Sequence, residues 1–215
     1  MNKIQCLSLA LVLLLAGCAA PRMSLQEQQQ YLSELPKNQG STTDPRDGSV
    51  YKTVRIGDLV WFAENLHFKR DGAHCYDEKE SNCNTYGMLY DLSIITPNVG
   101  DMNLCPEGWV IPTFEQWQKL REIVKNMDDL ATTSANPLGF NLLWSGKYAP
   151  APYTAGYDGI ESSASFAFRG HVVDEKLTMD EFGAFNIIKG FFYGGMGNPY
   201  LGNEPIRFYV RCVQK

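Results

Sequence analysis

The sequence is poor in histidine, in positive charge and in long apolar runs, and each shortage excludes something. Only three histidines occur, His67, His74 and His171. No His-Glu-x-x-His helix, Gly-x-Ser-x-Gly elbow or phosphate-binding glycine loop accompanies them, so common hydrolase and nucleotide-binding signatures are missing. Lys and Arg number 19 against 24 Asp and Glu, a net charge of −5. A phosphate backbone needs a cationic face, and no basic stripe runs along the chain, so a nucleic-acid partner is excluded. No Cys-x-x-Cys pair is present, which weighs against a thiolate metal site. What remains is 215 residues, 44% apolar and 12% aromatic, enough for one domain with a core plus extensions.

The opening segment reads as an address. "MNKIQCLSLALVLLLAGCAAP" has one early cation, Lys3, an apolar run from Leu7 to Leu15, then small residues. That is a signal peptide over 1–17, shorter than the ~20 apolar residues of a transmembrane helix. Leu15-Ala16-Gly17-Cys18 resembles a bacterial lipobox. The resemblance implies cleavage before Cys18 and acylation, palmitate included, of its thiol and new amino terminus. An ordinary secretory signal with an incidental Cys18 is the alternative. Each buried CH₂ adds ~0.8 kcal/mol of membrane affinity. Ala19 in place of Asp favours the outer membrane, with either leaflet open.

Residues 18–43 then form a lipidated tether, rich in Gln and Ser. Fully extended, it reaches roughly 80 Å. Ser24 and Glu27 make a capping-box pattern, so a short helix over 25–35 competes with a flexible chain. Cys6 leaves with the signal and Cys18 takes the lipid. Cys75, Cys83, Cys105 and Cys212 remain in an oxidising compartment, where three pairings are open and free core thiols are the alternative.

The domain occupies 44–215. Val50, Lys52, Val54 and Ile56 alternate with Tyr51, Thr53 and Arg55, Gly57-Asp58 supplies a turn, and 59–63 is an apolar second strand: a hairpin. "MLYDLSII" predicts a short helix or turn. Pro106 and Gly108 turn the chain into apolar Trp109–Ile111. Thr113 and Gln116 predict a capped helix whose Phe114, Trp117, Leu120, Ile123, Val124 and Met127 share a face. Trp109 and Trp117 are expected in the core. Further strands are predicted at 140–144, 165–171, 184–193 and 206–213. In the last, Ile206, Phe208, Val210 and Cys212 face inward, opposite Arg207, Tyr209 and Arg211.

Four stretches together carry a family resemblance: "TDPRDGSVYKTVRIGDLVWFAENL", "CYDEKESNCNTYGMLYD", "CPEGWVIPTFEQWQKL" and "FYVRCV". In order and spacing they resemble the Fibrobacter succinogenes major paralogous domain, over roughly 44–215. Residues 140–205 depart from its pattern, with "ESSASFAFRGH" where members often carry Trp-Ser-Ser-Thr. The family looks related to the C-type-lectin-like fold of formylglycine-generating enzymes. The resemblance implies an α+β, loop-rich domain with paired terminal strands. It also implies disulfides Cys105–Cys212 and Cys75–Cys83.

The function expected is binding without catalysis. The copper-dependent thiol chemistry of the formylglycine-generating branch needs two cysteines near the C-terminus, and this chain has only Cys212 there. His67 and His171 are expected to pack or lie on the surface, and His74 to be solvated. "GFFYGGMGNPYLGNEP" offers Phe191, Phe192, Tyr193, Met196, Tyr200, Asn203 and Glu204 as a ligand-binding segment, since glycine frees the backbone and aromatics supply contact area. A loop packed on its own domain is the alternative. Tyr148, Tyr153 and Tyr157 form a weaker candidate. Asn198, Asn203 and Glu204 beside Pro205 carry oxygens that suit calcium, though a polar turn without cofactor is the expectation. The partners expected are the membrane and a protein or glycan. The rivals are a structural part of an envelope or surface-fibre assembly, and an enzyme without recognisable motif.

Overall fold

A computed structural model describes residues 39–95, 104–124, 130, 136, 138–150, 156–173, 176–188, 191–196, 200–201 and 204–215. These lie within one compact unit, Leu35–Lys215. The signal peptide, Cys18, the possible helix at 25–35, Met127, Tyr153, Asn198 and Asn203 lie outside the described residues.

The predicted hairpin forms as β2 (Val50–Ile56) and β3 (Leu59–Phe62). Gly57 sits at φ 59°, a left-handed conformation that this tight turn requires and that favours glycine. Before the hairpin lies β1 (Gln39–Thr43), pairing antiparallel with β2 from Gln39↔Val54 to Thr43↔Val50. The last five residues assigned to the tether therefore belong to the sheet. Polar side chains concealed this, because an edge strand needs only backbone hydrogen bonds.

Next come β4 (Ala73–His74), a 3₁₀ turn (Tyr76–Glu78) and α1 (Glu80–Tyr86). The "MLYDLSII" stretch divides: Leu89–Asp91 is strand β5, and only Leu92–Ile95 is helical, as α2. After β6 (Trp109–Val110), α3 (Phe114–Ile123) opens on the full capping box. Thr113 Oγ1 accepts from Gln116 N–H at 3.3 Å, and Gln116 Oε1 from Thr113 N–H at 2.9 Å. Its inward face buries Trp117 and Leu120, and Val124 follows at the C-cap.

The second half is richer in strand than the sequence suggests: β7 (Ser145–Ala149), β8 (Gly156–Ile160), β9 (Ser163–Val173), β10 (Lys176–Ile188), β11 (Phe191–Met196), β12 (Tyr200–Leu201) and β13 (Glu204–Pro205). The single strand predicted at 184–193 is the end of β10 and the start of β11. The one predicted at 140–144 moves to β7. The final stretch splits into β14 (Arg207–Tyr209) and β15 (Val213–Gln214).

The strands build a five-stranded sheet, β1-β2-β3-β15-β6, an eight-stranded one with path β11-β10-β9-β7-β14-β5-β4, and a small β12-β13 ladder. Within the eight-stranded sheet, β8 pairs with β7 off that path. The architecture is mixed α and β, dominated by sheet. The chain's last residues join both large sheets. Val213 pairs with Trp61 and Val110, so a C-terminal strand closes against the domain's first hairpin.

Alternation in 206–213 holds, with a correction. Ile206, Phe208, Val210 and Cys212 enter one core cluster, yet Tyr209 and Val213 enter the other. Both faces are covered, and Arg211, opposite the inward set, is itself fully buried. The Trp61–Trp117 and Trp117–Phe166 rings, 5.0 and 5.2 Å apart, centre the first cluster. Trp109 is buried in the second. Both tryptophans pack in the core, as expected.

Candidate functional site

The disulfides are Cys75–Cys83 and Cys105–Cys212, with Cα atoms 4.9 and 5.9 Å apart. The second explains why a cysteine precedes α3. It ties the turn leading into that helix to the terminal stretch between β14 and β15. The glycine- and aromatic-rich candidate segment falls into three pieces. Phe191, Phe192, Tyr193 and Met196 lie in β11, the outer strand of the larger sheet, paired with β10. Tyr200 and Glu204 lie in the β12–β13 ladder. Of the calcium candidates, only Glu204 is described. No cluster of three His, Cys, Asp or Glu able to hold a metal occurs among the described residues.

Tyr148 and Tyr157 do meet, across β7 and β8, with ring centroids 4.9 Å apart. They belong to a network that sequence reading missed. Arg207 lies over the Tyr148 ring at 4.2 Å. Its Nε donates to Asp91 Oδ1 at 3.1 Å, and Nη1 donates to Glu78 Oε1 and to Tyr157 Oη, both at 3.0 Å. The Tyr157 hydroxyl also donates to Glu78 Oε1. His74 is not solvated as expected. It is one-quarter exposed, with Nε2 3.2 Å from Asp91 Oδ1 and Nδ1 3.7 Å from Glu78 Oε1.

Asp77 and Glu78 both adopt left-handed φ, 55° and 52°. That costly backbone aims Glu78 at Arg207. Desolvation works to raise the Glu78 carboxyl, but the Tyr157 hydrogen bond and the nearby His74 and Arg207 prevail and hold it below its usual range. Burial and the Glu78 hydrogen bond push the Tyr157 phenol far up, so it stays protonated and donating. Each carboxylate faces a cation, and the cluster braces the disulfide loop to β5, β8 and β14.

Glu64 acts on Arg211 through charge alone, and among the described residues Arg211 donates no hydrogen bond to a carboxylate. Its Nε and Nη2 donate to Asn65 Oδ1 at 3.1 and 2.6 Å, Nη1 donates to the Phe140 carbonyl, and Nη2 to the Asn141 carbonyl at 3.3 Å. The guanidinium also lies 4.4 Å from the Phe140 ring centroid. Burial pushes it down to about 9, which leaves it charged at neutral pH. A planar fork of five donors suits this array of oxygens. The signal available in sequence was an arginine inside "FYVRCV", flanked by apolar residues on both sides.

Asn65 extends the array outward, because its Nδ2 donates to the Tyr86 carbonyl at 2.8 Å. Residues 64–69 and 83–88 thereby form the walls of a cleft of about 270 Å³, with Leu143 also lining it. Gly87 permits the close approach. At φ 78° a Cβ there would meet Asn65 Cβ at 2.8 Å and two backbone oxygens near 3 Å. Glu64 accepts from Lys52 N–H at 2.6 Å, and the His67 ring packs 4.5 Å from Tyr51.

No curated protein and no solved structure matches the chain. The Fibrobacter succinogenes major domain family matches residues 54–214, three-quarters of the chain. With the C-terminal strand closing on the first hairpin and the cysteines paired as the four quoted stretches imply, the chain belongs to the Fibrobacter succinogenes major domain family.

Proposed function

We propose that the chain is a non-enzymatic envelope lipoprotein, anchored in the outer membrane through acylated Cys18, whose C-type-lectin-like domain binds a protein or glycan. The fold assignment is supported by β15 pairing with β3 and by the disulfide that ties 105 to 212. The observation that carries the binding role is β11. Its sequence, Phe-Phe-Tyr-Gly-Gly-Met, forms the outer strand of the eight-stranded sheet, hydrogen-bonded to β10 on one side. An outer strand offers backbone donors and acceptors to an incoming chain, and its side chains set specificity.

The same edge favours the envelope-assembly role as a second reading, since a neighbouring envelope protein would pair there equally well. Crosslinking on intact cells separates the two. A reproducible envelope protein joined near 190–205 supports assembly. Capture of added foreign protein or glycan, with the domain open to external protease, supports an outward-facing binder.

Backbone groups of an antiparallel strand point alternately toward and away from its neighbour. Of Phe192→Pro and Tyr193→Pro, one therefore disturbs β10 pairing and the other only the outer edge. The outer-edge variant should abolish capture while its melting temperature holds. Unchanged capture in both variants would remove β11 from the function.

A further inference from the structure

We propose that the cleft between residues 64–69 and 83–88 binds one neutral sugar ring at the end of a glycan. The site is separate from β11. Its volume of about 270 Å³ lies just below the ~300 Å³ lower bound of ordinary ligand pockets, which leaves room for about one ring. Its lining includes the apolar Cys83, Met88 and Leu143, and the polar Glu64, His67 and Asn84.

The polar set defines the ligand. Glu64 is locked by the Lys52 N–H, which uses one carboxylate oxygen, and the other has no hydrogen bond among the described residues. A carboxylate only accepts, whereas an amide and an imidazole both donate and accept. Groups that satisfy all three must do both, and hydroxyls do. The Thr85 hydroxyl, donating to Ser81 O at 3.0 Å, can still accept one more. Charge favours a neutral ligand. Lys69 lines the same cleft as Glu64, and the buried Arg211 guanidinium behind Asn65 interacts with the Glu64 charge, so no single-sign field builds up. The apolar lining suits the C–H face of a ring.

The cleft is also held in shape. Arg211, fully buried, hydrogen-bonds Asn65 in one wall and the Phe140 and Asn141 carbonyls just before Leu143. Asn65 in turn holds the Tyr86 carbonyl. One guanidinium thus fixes three lining segments, and a rigid site loses less entropy on binding.

The test applies the full-length lipidated protein, in detergent micelles, to immobilised neutral glycans in the presence of EDTA. The expected result is binding to glycans that share one terminal ring, competed by that ring's methyl glycoside. Glu64→Gln and Asn84→Ala should weaken it at least tenfold, and Leu143→Trp, which fills the cleft, should abolish it. All three should keep the wild-type melting temperature. No glycan bound, equal binding by all variants, or binding that appears only with calcium overturns the assignment. Because β11 is intact throughout, that failure is distinct from failure of the edge-strand reading.

Discussion

Arg211 gives up all contact with water and receives in return one amide oxygen, the Phe62, Phe140 and Asn141 carbonyls, and the ring faces of Phe140 and Phe166. The exchange stabilises only while every acceptor stays matched. Arg211→Leu strands those oxygens in a dry interior, at about 1–3 kcal/mol each. Arg211→Lys keeps the charge but not the fork. Both variants should lose about 3 kcal/mol or more in urea unfolding, and a loss below ~1 kcal/mol would show that the array is dispensable. Asp44 makes the opposite case. Burial alone would raise its carboxyl, but Arg46, donating from its backbone N–H, Nε and Nη2 at 3.0, 2.9 and 2.6 Å, lowers it overall. A depressed folded-state value contributes stability that is present above the unfolded value near ~3.9 and lost as pH falls through the folded one. The melting temperature should therefore fall below about pH 4, and Asp44→Asn should melt lower at neutral pH with a flatter acid limb.

At the scale of elements, the disulfides differ in the length of chain they close. Cys105–Cys212 spans 107 residues and Cys75–Cys83 spans 8. Chain entropy assigns the first about 4–5 kcal/mol and the second about 2.5 kcal/mol. The double variant Cys105→Ala/Cys212→Ala should therefore lose more in denaturant than Cys75→Ala/Cys83→Ala, and the reverse order would mean that the short loop controls stability through the Glu78–Arg207 brace. Elements with local signals were legible in sequence. The β2–β3 turn needed glycine, α3 carried both halves of its capping box, and the cysteines followed the family pattern. Elements fixed by distant partners were not. β1 is polar and exists only because β2 offers an edge. The β10–β11 boundary was blurred because both strands are apolar and aromatic. Arg207 and Arg211 looked like an outward face because alternation reports two faces, not which of them is covered. The cleft was invisible because its walls are far apart in sequence and meet through tertiary contacts, Asn65 to the Tyr86 carbonyl, Met88 N–H to the Leu66 carbonyl, and the close approach at Gly87.

At the scale of the whole molecule, two sheets share one C-terminal stretch, and the same stretch carries a disulfide cysteine, a buried cation and the brace to the disulfide loop. Such a domain is built to hold surfaces rigid. No helix among the described residues is long and apolar enough to cross a membrane. The proposed anchor is the lipid at Cys18, and the proposed working surface is the outer edge of β11. The most direct test is a carbene-generating photo-crosslinker, reactive toward protein and sugar alike, placed singly at Phe192, Tyr193 and Val50 on intact cells. Val50 is 59% exposed and lies in β2 of the other sheet, so it reports chance encounters. Binding at the β11 edge predicts a defined adduct from 192 or 193 and none of the same mass from 50. Adducts identical at all three positions, or none at 192 and 193, would contradict it.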